Sequence, residues 1–331
     1  MKVLMPPVQP GLPRRQRGVA LITAVLIVAL ATILAIQVGF SGYLDQRRGA
    51  TAFALDQGFE VAMGAEAWAA DILVQDAKQS KGGQNATDDF TEAWATPIPP
   101  LPIQDGIGEV QGQLEDMQGR FNLNNLVKLD QTGKLVADPI QVKRLRRLLQ
   151  IVGLEEKWAS VMVDWIDSDI EADGPDGAED SVYSSQTPAY RTPNMPITRT
   201  SELLALAGFG LERYQKLEPF VAALPIGTTI NTCTAPFEVL DAMLENHREW
   251  TTAKQSNTEA RKQHCFPTVQ DFKASLSQPE KDEVGNTIST TTNYFRASIW
   301  VTIGTTQFTL YTLMKRDNAQ VRPILRSFGT A

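Results

Sequence analysis

The strongest pattern in the chain is an uncharged apolar run over residues 19–40, in which Thr23, Thr32 and Gln37 are the strongly polar members. As a helix, these 22 residues at about 1.5 Å each span roughly 33 Å, enough to cross the apolar core of a bilayer. Basic residues precede the run and acidic ones do not, which predicts a cytoplasmic N-terminus. The sequence therefore predicts a single-pass membrane segment, and a plain signal-anchor helix is one interpretation.

Beyond the run, apolar residues recur near helical spacing, so one long helix is expected over residues 19–78. Residues 79–105 are rich in glycine, polar residues and proline, which predicts a loop. Imperfect alternation over 107–123 and clear alternation over 293–328 predict strands of an antiparallel sheet. Pro323 places the last of these strands at an edge.

The middle of the chain has helical patterns instead. Asp138 precedes Pro139 as a helix N-cap, and an apolar stripe follows as far as Gly153. Further helices are expected over 155–166, 200–207, 211–223 and 236–247. The predicted fold class is therefore α+β, with an α/β domain formed by 79–123 and 229–331 and a large inserted all-α domain over 124–228.

The net charge of the chain argues against some classes of function. The 331 residues include 31 basic and 38 acidic ones, a net charge of −7, and without residues 1–18 the balance would be 27 against 38, or −11. This argues against a protein that binds nucleic acid through a basic surface. The sequence also lacks a nucleophile elbow, a phosphate-binding loop and a dinucleotide motif, so no enzymatic activity is predicted.

Residues 164–180 carry eight carboxylates and no basic residue. Carboxylates at this density must be solvated or neutralised, and hard oxygen ligands suit Ca²⁺. The spacing approaches that of an EF-hand, although Pro175 disturbs the loop. The expected ligands of a structural Ca²⁺ are Asp167, Asp169, Asp173, Asp176, Glu179 and Asp180. One alternative is a loop whose carboxylates are merely solvated. Another is a catalytic carboxylate pair, but in so crowded a segment no one residue stands out as the acid and another as the base.

Cys233 and Cys265 are the two cysteines of the chain. If the bulk of the chain is exported, they lie in an oxidising compartment and are expected to form a disulfide. Zinc binding together with a histidine is the alternative.

The N-terminus resembles that of type IV prepilins, which have a short basic leader, a glycine at the boundary and an uncut apolar helix. The resemblance implies cleavage by a prepilin peptidase between Gly18 and Val19, followed by methylation of the new terminus. Pilin-like subunits usually carry glutamate at the fifth mature position, where it neutralises the terminal amine of a neighbouring subunit; this chain has Thr23. A subunit without that carboxylate has less reason to dock beneath another one, which suits the tip of a filament.

Further motifs lie at 116–126 (DMQGRFNLNNL), 164–169 (DWIDSD) and 177–180 (GAED). Together with Thr23, they make the chain similar to the protein K family of large minor pseudopilins in type II secretion systems. The resemblance implies a pilin-like domain, whose long helix packs on the sheet, and a helical insert with bound Ca²⁺. It also implies a non-enzymatic role at the tip of the pseudopilus, needed to export folded proteins across the outer membrane.

The same resemblance implies the partners and the location. The partners would be the minor pseudopilins I and J, the major pseudopilin G and the prepilin peptidase. The chain would cross the bacterial inner membrane once, with its C-terminal bulk in the periplasm. The alternative is a signal-anchored periplasmic calcium-binding protein or hydrolase, which would keep residues 1–18.

Overall fold

The computed structural model describes residues 16–80, 87–103, 106–245, 249–274, 276–317 and 320–329. Most of the predicted leader, residues 1–15, lies outside the described residues. The chain divides into two compact units, one ending at Gln57 and one running from Gly58 to Ala331. Helix α1 (Gln16–Ser80) belongs to both, so each part of the helix is described with its own unit.

The first unit is the apolar part of α1. Its aliphatic side chains between residues 19 and 40 are well exposed, for example Leu21 at 69% and Val38 at 70%. By length and composition this helix could cross a membrane. Within it, Thr23 donates its hydroxyl to the carbonyl of Val19 at 3.1 Å and to that of Ala20 at 3.0 Å. This hydroxyl is therefore satisfied within its own helix.

The second unit contains the predicted antiparallel sheet, which has five strands within the described residues. The strands are β1 (Ile98–Pro102), β2 (Gly108–Asp116), β9 (Tyr294–Ile303), β10 (Thr306–Asp317) and β11 (Gln320–Phe328), in the order β1-β2-β9-β10-β11. All four pairings are antiparallel, and β11 lies at an edge as predicted. The predicted fold class is confirmed.

Strand β1 was not predicted, because its prolines indicated a loop. An edge strand needs no ladder N–H on its outer side, so proline is tolerated there. The register of β1 on β2 is irregular between Ile98 and Leu101, where two of the prolines lie.

The core of this unit lies between the sheet and residues 58–80 of α1. Phe295, Ala297, Ile299 and Val301 alternate along β9 and are at most 2% exposed. They form one apolar cluster with Ala62, Ala69 and Leu73 of the helix and with Leu310 and Met314 of β10. The alternation that predicted this strand thus corresponds to one buried face.

Shorter elements fill the chain between β2 and β9. The described helices there are α2 (Pro139–Ile151), α3 (Trp158–Ile166), α4 (Asp180–Tyr183), α5 (Gly210–Leu217), α6 (Phe237–Ala242), α7 (Glu249–Thr252), α8 (Lys254–Arg261), α9 (Val269–Ala274) and α10 (Gln278–Val284). Short strand pairs tie them together: β3 (Phe121–Asn122) with β6 (Val221–Ala222), β4 (Val127–Leu129) with β5 (Leu135–Ala137), and β7 (Ile230–Asn231) with β8 (Ile288–Ser289).

Helix α2 begins as predicted, since the Asp138 side chain accepts from the backbone N–H groups of Ile140 and Gln141. The helix predicted over 211–223 was wrong in length. It ends at Leu217, because Pro219 cannot continue an α-helix, and a 3₁₀ turn leads from it into β6. Residues 200–207 form a 3₁₀ turn (Thr200–Ala205) instead of an α-helix. The helix expected over 236–247 ends at Ala242.

The predicted disulfide between Cys233 and Cys265 is present, and both residues are buried. It joins the segment after β7 to the segment after α8. Two parts of the chain 32 residues apart are therefore held together covalently.

A buried cation joins the end of α1 to the sheet. The Arg316 side chain of β10 donates to Asp76 of α1 at 2.6 Å and also to Asp88, which lies in the loop after the helix. Its Nη2 also donates to the Thr292 carbonyl at 2.8 Å. One guanidinium thus connects the helix, the loop and the strand.

We expect Arg316→Met to lower the free energy of unfolding of the detergent-solubilised chain by about 3 to 5 kcal/mol, because it leaves two buried carboxylates without their cation. Arg322→Met on β11 is the matched control, since the Arg322 side chain is 67% exposed and pairs with the partly exposed Asp317. This change should cost less than about 1 kcal/mol. Urea unfolding measures both, and equal losses would contradict the role given to Arg316.

Candidate metal site

Three buried carboxylates converge where helix α3 ends. Asp164 lies in the last turn of α3, Asp167 follows the helix directly, and Glu179 precedes α4. Their exposed fractions are 0%, 4% and 6%. One oxygen of each lies within 4.8 Å of the others. The acidic segment therefore forms a compact group of ligand atoms, which we call the acidic cluster.

Asp164 closes the loop that carries the other acids. Its Oδ1 accepts from the backbone N–H of Asp173 at 2.8 Å, and its Oδ2 accepts from that of Ala178 at 2.6 Å. The loop passes so close that a Cβ at Gly177 would lie 2.6 Å from the Asp173 nitrogen and would also meet Asp164 Oδ2. A side chain at 177 would therefore force the loop away from Asp164.

The other two members of the cluster have oxygens without a hydrogen-bond donor. Asp167 Oδ1 and Glu179 Oε1 are buried and accept no hydrogen bond from the described residues. Burial, with the neighbouring carboxylates adding to it, raises the pKa of Asp167 to about 7 and that of Glu179 to about 7. Burial also raises the pKa of Asp164. A divalent cation would satisfy both oxygens and offset the repulsion.

The predicted ligands separate into two groups. Asp167 and Glu179 lie in the cluster, and Asp169 and Asp173 lie near enough for their charges to raise the pKa of Asp167. Buried Asp173 Oδ2 accepts no hydrogen bond from the described residues and lies 3.6 Å from Arg146 Nη2.

The structure places the other two predicted ligands elsewhere. Asp176 is exposed. Asp180 is not part of the cluster and has other partners: its Oδ1 accepts from the Thr192 N–H at 3.1 Å and hydroxyl at 3.0 Å, and its Oδ2 lies 3.7 Å from Arg191 Nε.

Sequence reasoning left Asp164 out of the ligand set. The available signal was its spacing from Asp167, since residues three apart share a helix face. The EF-hand pattern drew attention to alternating positions further along instead. In the structure, Asp169 Oδ1 accepts from the Glu171 N–H at 2.8 Å, within the same short turn.

An aromatic layer adjoins the acidic cluster. Trp165 and Tyr183 approach each other with ring centroids 5.2 Å apart, and Tyr190 lies 5.3 Å from Tyr183. Trp165 is next to Asp164 in the chain. Burial raises the pKa of Tyr183, and the charges of Asp164 and Glu179 add to the shift. The site thus has a tryptophan close enough to act as an optical reporter.

A second group of acids lies at the end of α1 and in the segment between α1 and β1, and it differs from the acidic cluster in having a cation of its own. Asp76, Asp88 and Glu92 also bring their oxygens within 4.8 Å of one another. Arg316 already binds two of them. The cation that this group needs is therefore part of the protein.

The chain is similar to known proteins along nearly its whole length. The family model for type II secretion system protein K matches residues 119–226, which include the acidic cluster. The chain is 34% identical to type II secretion system protein K of Pseudomonas aeruginosa, over 96% of this chain and 94% of that protein. It is 29% identical to the protein of the same name from Pectobacterium carotovorum, over 95% and 97%.

Among solved structures, a chain of the GspK-GspI-GspJ complex from enterotoxigenic Escherichia coli is similar to this one. The TM-score is 0.73 at 22% sequence identity, and the match covers 86% of this chain and all (100%) of that chain. The two chains thus share a fold.

Proposed function

The chain belongs to the type II secretion system protein K family and is a minor pseudopilin of that system, and we propose that it forms the tip of the pseudopilus. The observation that carries the assignment is 34% identity to a family member along 96% of the chain. In this proposal the protein is a structural subunit and not an enzyme. Its helical insert forms the terminal surface, above which no further subunit stacks.

The first part of α1 supports anchoring in the inner membrane, with the rest of the chain in the periplasm. Its apolar side chains between residues 19 and 40 are well exposed, which suits contact with lipid and later with the helices of neighbouring subunits. The disulfide between Cys233 and Cys265 suits an oxidising compartment. Gly18 and Val19 lie at the boundary where a prepilin peptidase would cut, and methylation of Val19 would follow.

Thr23 supports the position at the tip. Its hydroxyl donates to carbonyls of its own helix, and it carries no charge with which to neutralise the terminal amine of another subunit. A subunit of this kind does not need a neighbour above it. The major pseudopilin G would then continue the filament below.

The partners proposed for the tip are the minor pseudopilins I and J. The solved relative was crystallised as a complex of GspK with GspI and GspJ, and it has the same fold as this chain. We infer that this chain forms the corresponding three-subunit complex.

We also propose that the acidic cluster holds a structural Ca²⁺. Asp164, Asp167 and Glu179 would form the site, with Asp169 and Asp173 beside it, and the donors are the hard oxygens that Ca²⁺ prefers. The ion would neutralise carboxylates that otherwise repel one another. Asp164 would hold the loop in place through the two hydrogen bonds that it accepts from backbone N–H groups.

Cleavage of the leader tests the class of protein. We expect the chain isolated from cells with a prepilin peptidase to begin at Val19, and the chain from cells without it to begin at Met1. Intact mass and N-terminal sequencing of the membrane-extracted protein measure both. A start at Met1 in both strains would contradict the pseudopilin assignment and indicate a signal-anchored protein.

Terbium luminescence tests the metal site, because Trp165 can sensitise a bound lanthanide. We expect emission on tryptophan excitation that Ca²⁺ displaces and that the double variant Asp167→Asn, Glu179→Gln loses. Asp176→Asn is the matched control, since it removes an exposed carboxylate of the same segment, and it should retain most of the emission.

The same variants have a second expected effect, of opposite sign. In chelator at pH 8 the double variant should unfold at a higher temperature than the unchanged chain, because it removes repulsion between buried carboxylates. With Ca²⁺ present it should unfold at a lower temperature. If the double variant and Asp176→Asn behaved alike in both conditions, the cluster would not be the metal site.

A further inference from the structure

Helix α1 carries a tyrosine and two arginines shortly after the apolar run over residues 19–40. Tyr43 is 52% exposed, and Arg47 and Arg48 are exposed as well. All three lie in the first compact unit, on the C-terminal side of the membrane segment. Tyrosine is typical of the boundary between membrane and water, so this part of the helix has the composition of that boundary.

The two arginines differ in what they contact. Arg48 Nη1 lies 3.4 Å from Asp45 Oδ1, so a carboxylate on the same helix face balances its charge. The described residues offer no such carboxylate to Arg47. Its guanidinium lies over the ring of Tyr43 instead, 5.4 Å from the ring centroid. Within the described residues, Arg47 is thus a cation without an anionic partner.

The geometry of the Tyr43–Arg47 pair directs this cation towards the membrane. Side chains of an α-helix lean towards its N-terminus, which here is the side of the apolar run. The Arg47 guanidinium accordingly lies over Tyr43, about one turn closer to the run than its own Cα. Tyr43 itself lies roughly 4 to 5 Å beyond Phe40 along the helix axis.

This position matches the depth of lipid phosphates. The apolar core of a bilayer is about 30 Å thick, and each headgroup region adds roughly 5 to 7 Å. With the apolar run in the core, the Tyr43 ring and the Arg47 guanidinium lie among the headgroups. A guanidinium binds phosphate oxygens through two parallel N–H donors, and its charge complements theirs.

The same stretch of helix has the length that the leader requires. From Gly18 to Tyr43 the helix is roughly 38 Å long, and from Gly18 to Arg47 roughly 44 Å. A bilayer with both headgroup regions is about 40 to 45 Å thick. When the Tyr43–Arg47 pair lies among the periplasmic headgroups, the bond between Gly18 and Val19 therefore lies at the cytoplasmic surface.

We propose that Arg47, stacked on Tyr43, binds phospholipid phosphates of the periplasmic leaflet and so sets the depth of α1, which keeps the Gly18–Val19 bond at the surface where the peptidase cuts. This role rests on the proposed function, which supplies the membrane and the peptidase. Arg47 is a positioning residue, since it acts on the bond from the opposite side of the membrane.

A charge series at Arg47 tests the proposal in the full chain, in cells with the peptidase. The variants are Arg47→Lys, Arg47→Ala and Arg47→Glu, which keep, remove and reverse the charge. The matched control is the double variant Asp45→Asn, Arg48→Gln, since it changes two exposed neighbours that form a pair without net charge. Pulse-chase labelling gives the rate of leader cleavage.

We expect cleavage to slow by about fivefold in Arg47→Ala, which corresponds to the loss of one arginine from a lipid surface, and further in Arg47→Glu. Phosphates repel a glutamate, so the helix of Arg47→Glu should move outward and draw Gly18 into the bilayer. Arg47→Lys retains the cation and should be cleaved at nearly the unchanged rate, as should the control.

Depth is measured separately in cells that lack the peptidase, so that every copy keeps its leader. Ser41→Cys reports the depth, because Ser41 is exposed near the end of the apolar run and the two native cysteines are paired with each other. We expect a membrane-impermeant maleimide, added to spheroplasts, to label this cysteine several-fold faster when Arg47→Glu is also present. The control double variant should leave the labelling rate unchanged.

Unchanged cleavage and unchanged labelling in Arg47→Glu would overturn the proposal. Slower cleavage with unchanged labelling would overturn it as well, because Arg47 would then act through contact with a protein and not with lipid. Equal effects in the control would contradict a specific role of Arg47. If the unchanged chain kept its leader in cells with the peptidase, the proposed function would fail instead, and the labelling rates would still decide the contact with lipid.

Discussion

The fold depends on keeping one long helix fixed along an antiparallel sheet, and buried charge does this at two points. Arg316 holds the end of α1 and the following loop through Asp76 and Asp88. Ten residues before Asp76 on the same helix, the Glu66 carboxylate accepts two hydrogen bonds from the Arg326 guanidinium of β11, at 2.8 and 2.7 Å. It also accepts one from the Thr312 hydroxyl at 2.7 Å. Apolar packing alone would allow the helix to slide, whereas these paired charges define its register.

The second unit contains two groups of buried acids, and they differ in how their negative charge is compensated. The group around Asp76 has its cation in Arg316, so it is balanced by the protein itself. The acidic cluster around Asp167 has oxygens that accept no hydrogen bond from the described residues, and burial together with the neighbouring carboxylates raises the pKa of Asp167 and Glu179. The same physical rule, that buried charge must be compensated, explains the first group and motivates the ion proposed for the second.

Local signals in the sequence were sufficient wherever the cause of an element is local. Alternation predicted β9, the pairing of Asp138 with Pro139 predicted the start of α2, and the apolar run predicted the first part of α1. Strand β1 was missed because it exists through pairing with β2, which its prolines do not reveal. Asp164 was missed as a member of the site because its role depends on the loop returning over it, and Gly177 makes that return possible.

If this chain ends a filament, as proposed, each pseudopilus should contain one copy of it whatever the length of the filament. The most direct measurement is the ratio of this chain to the major pseudopilin in sheared pseudopili, sorted by length and quantified by mass spectrometry. A position at the tip predicts a ratio that falls in inverse proportion to filament length. A ratio that stays constant with length would place the chain along the filament and contradict a position at the tip.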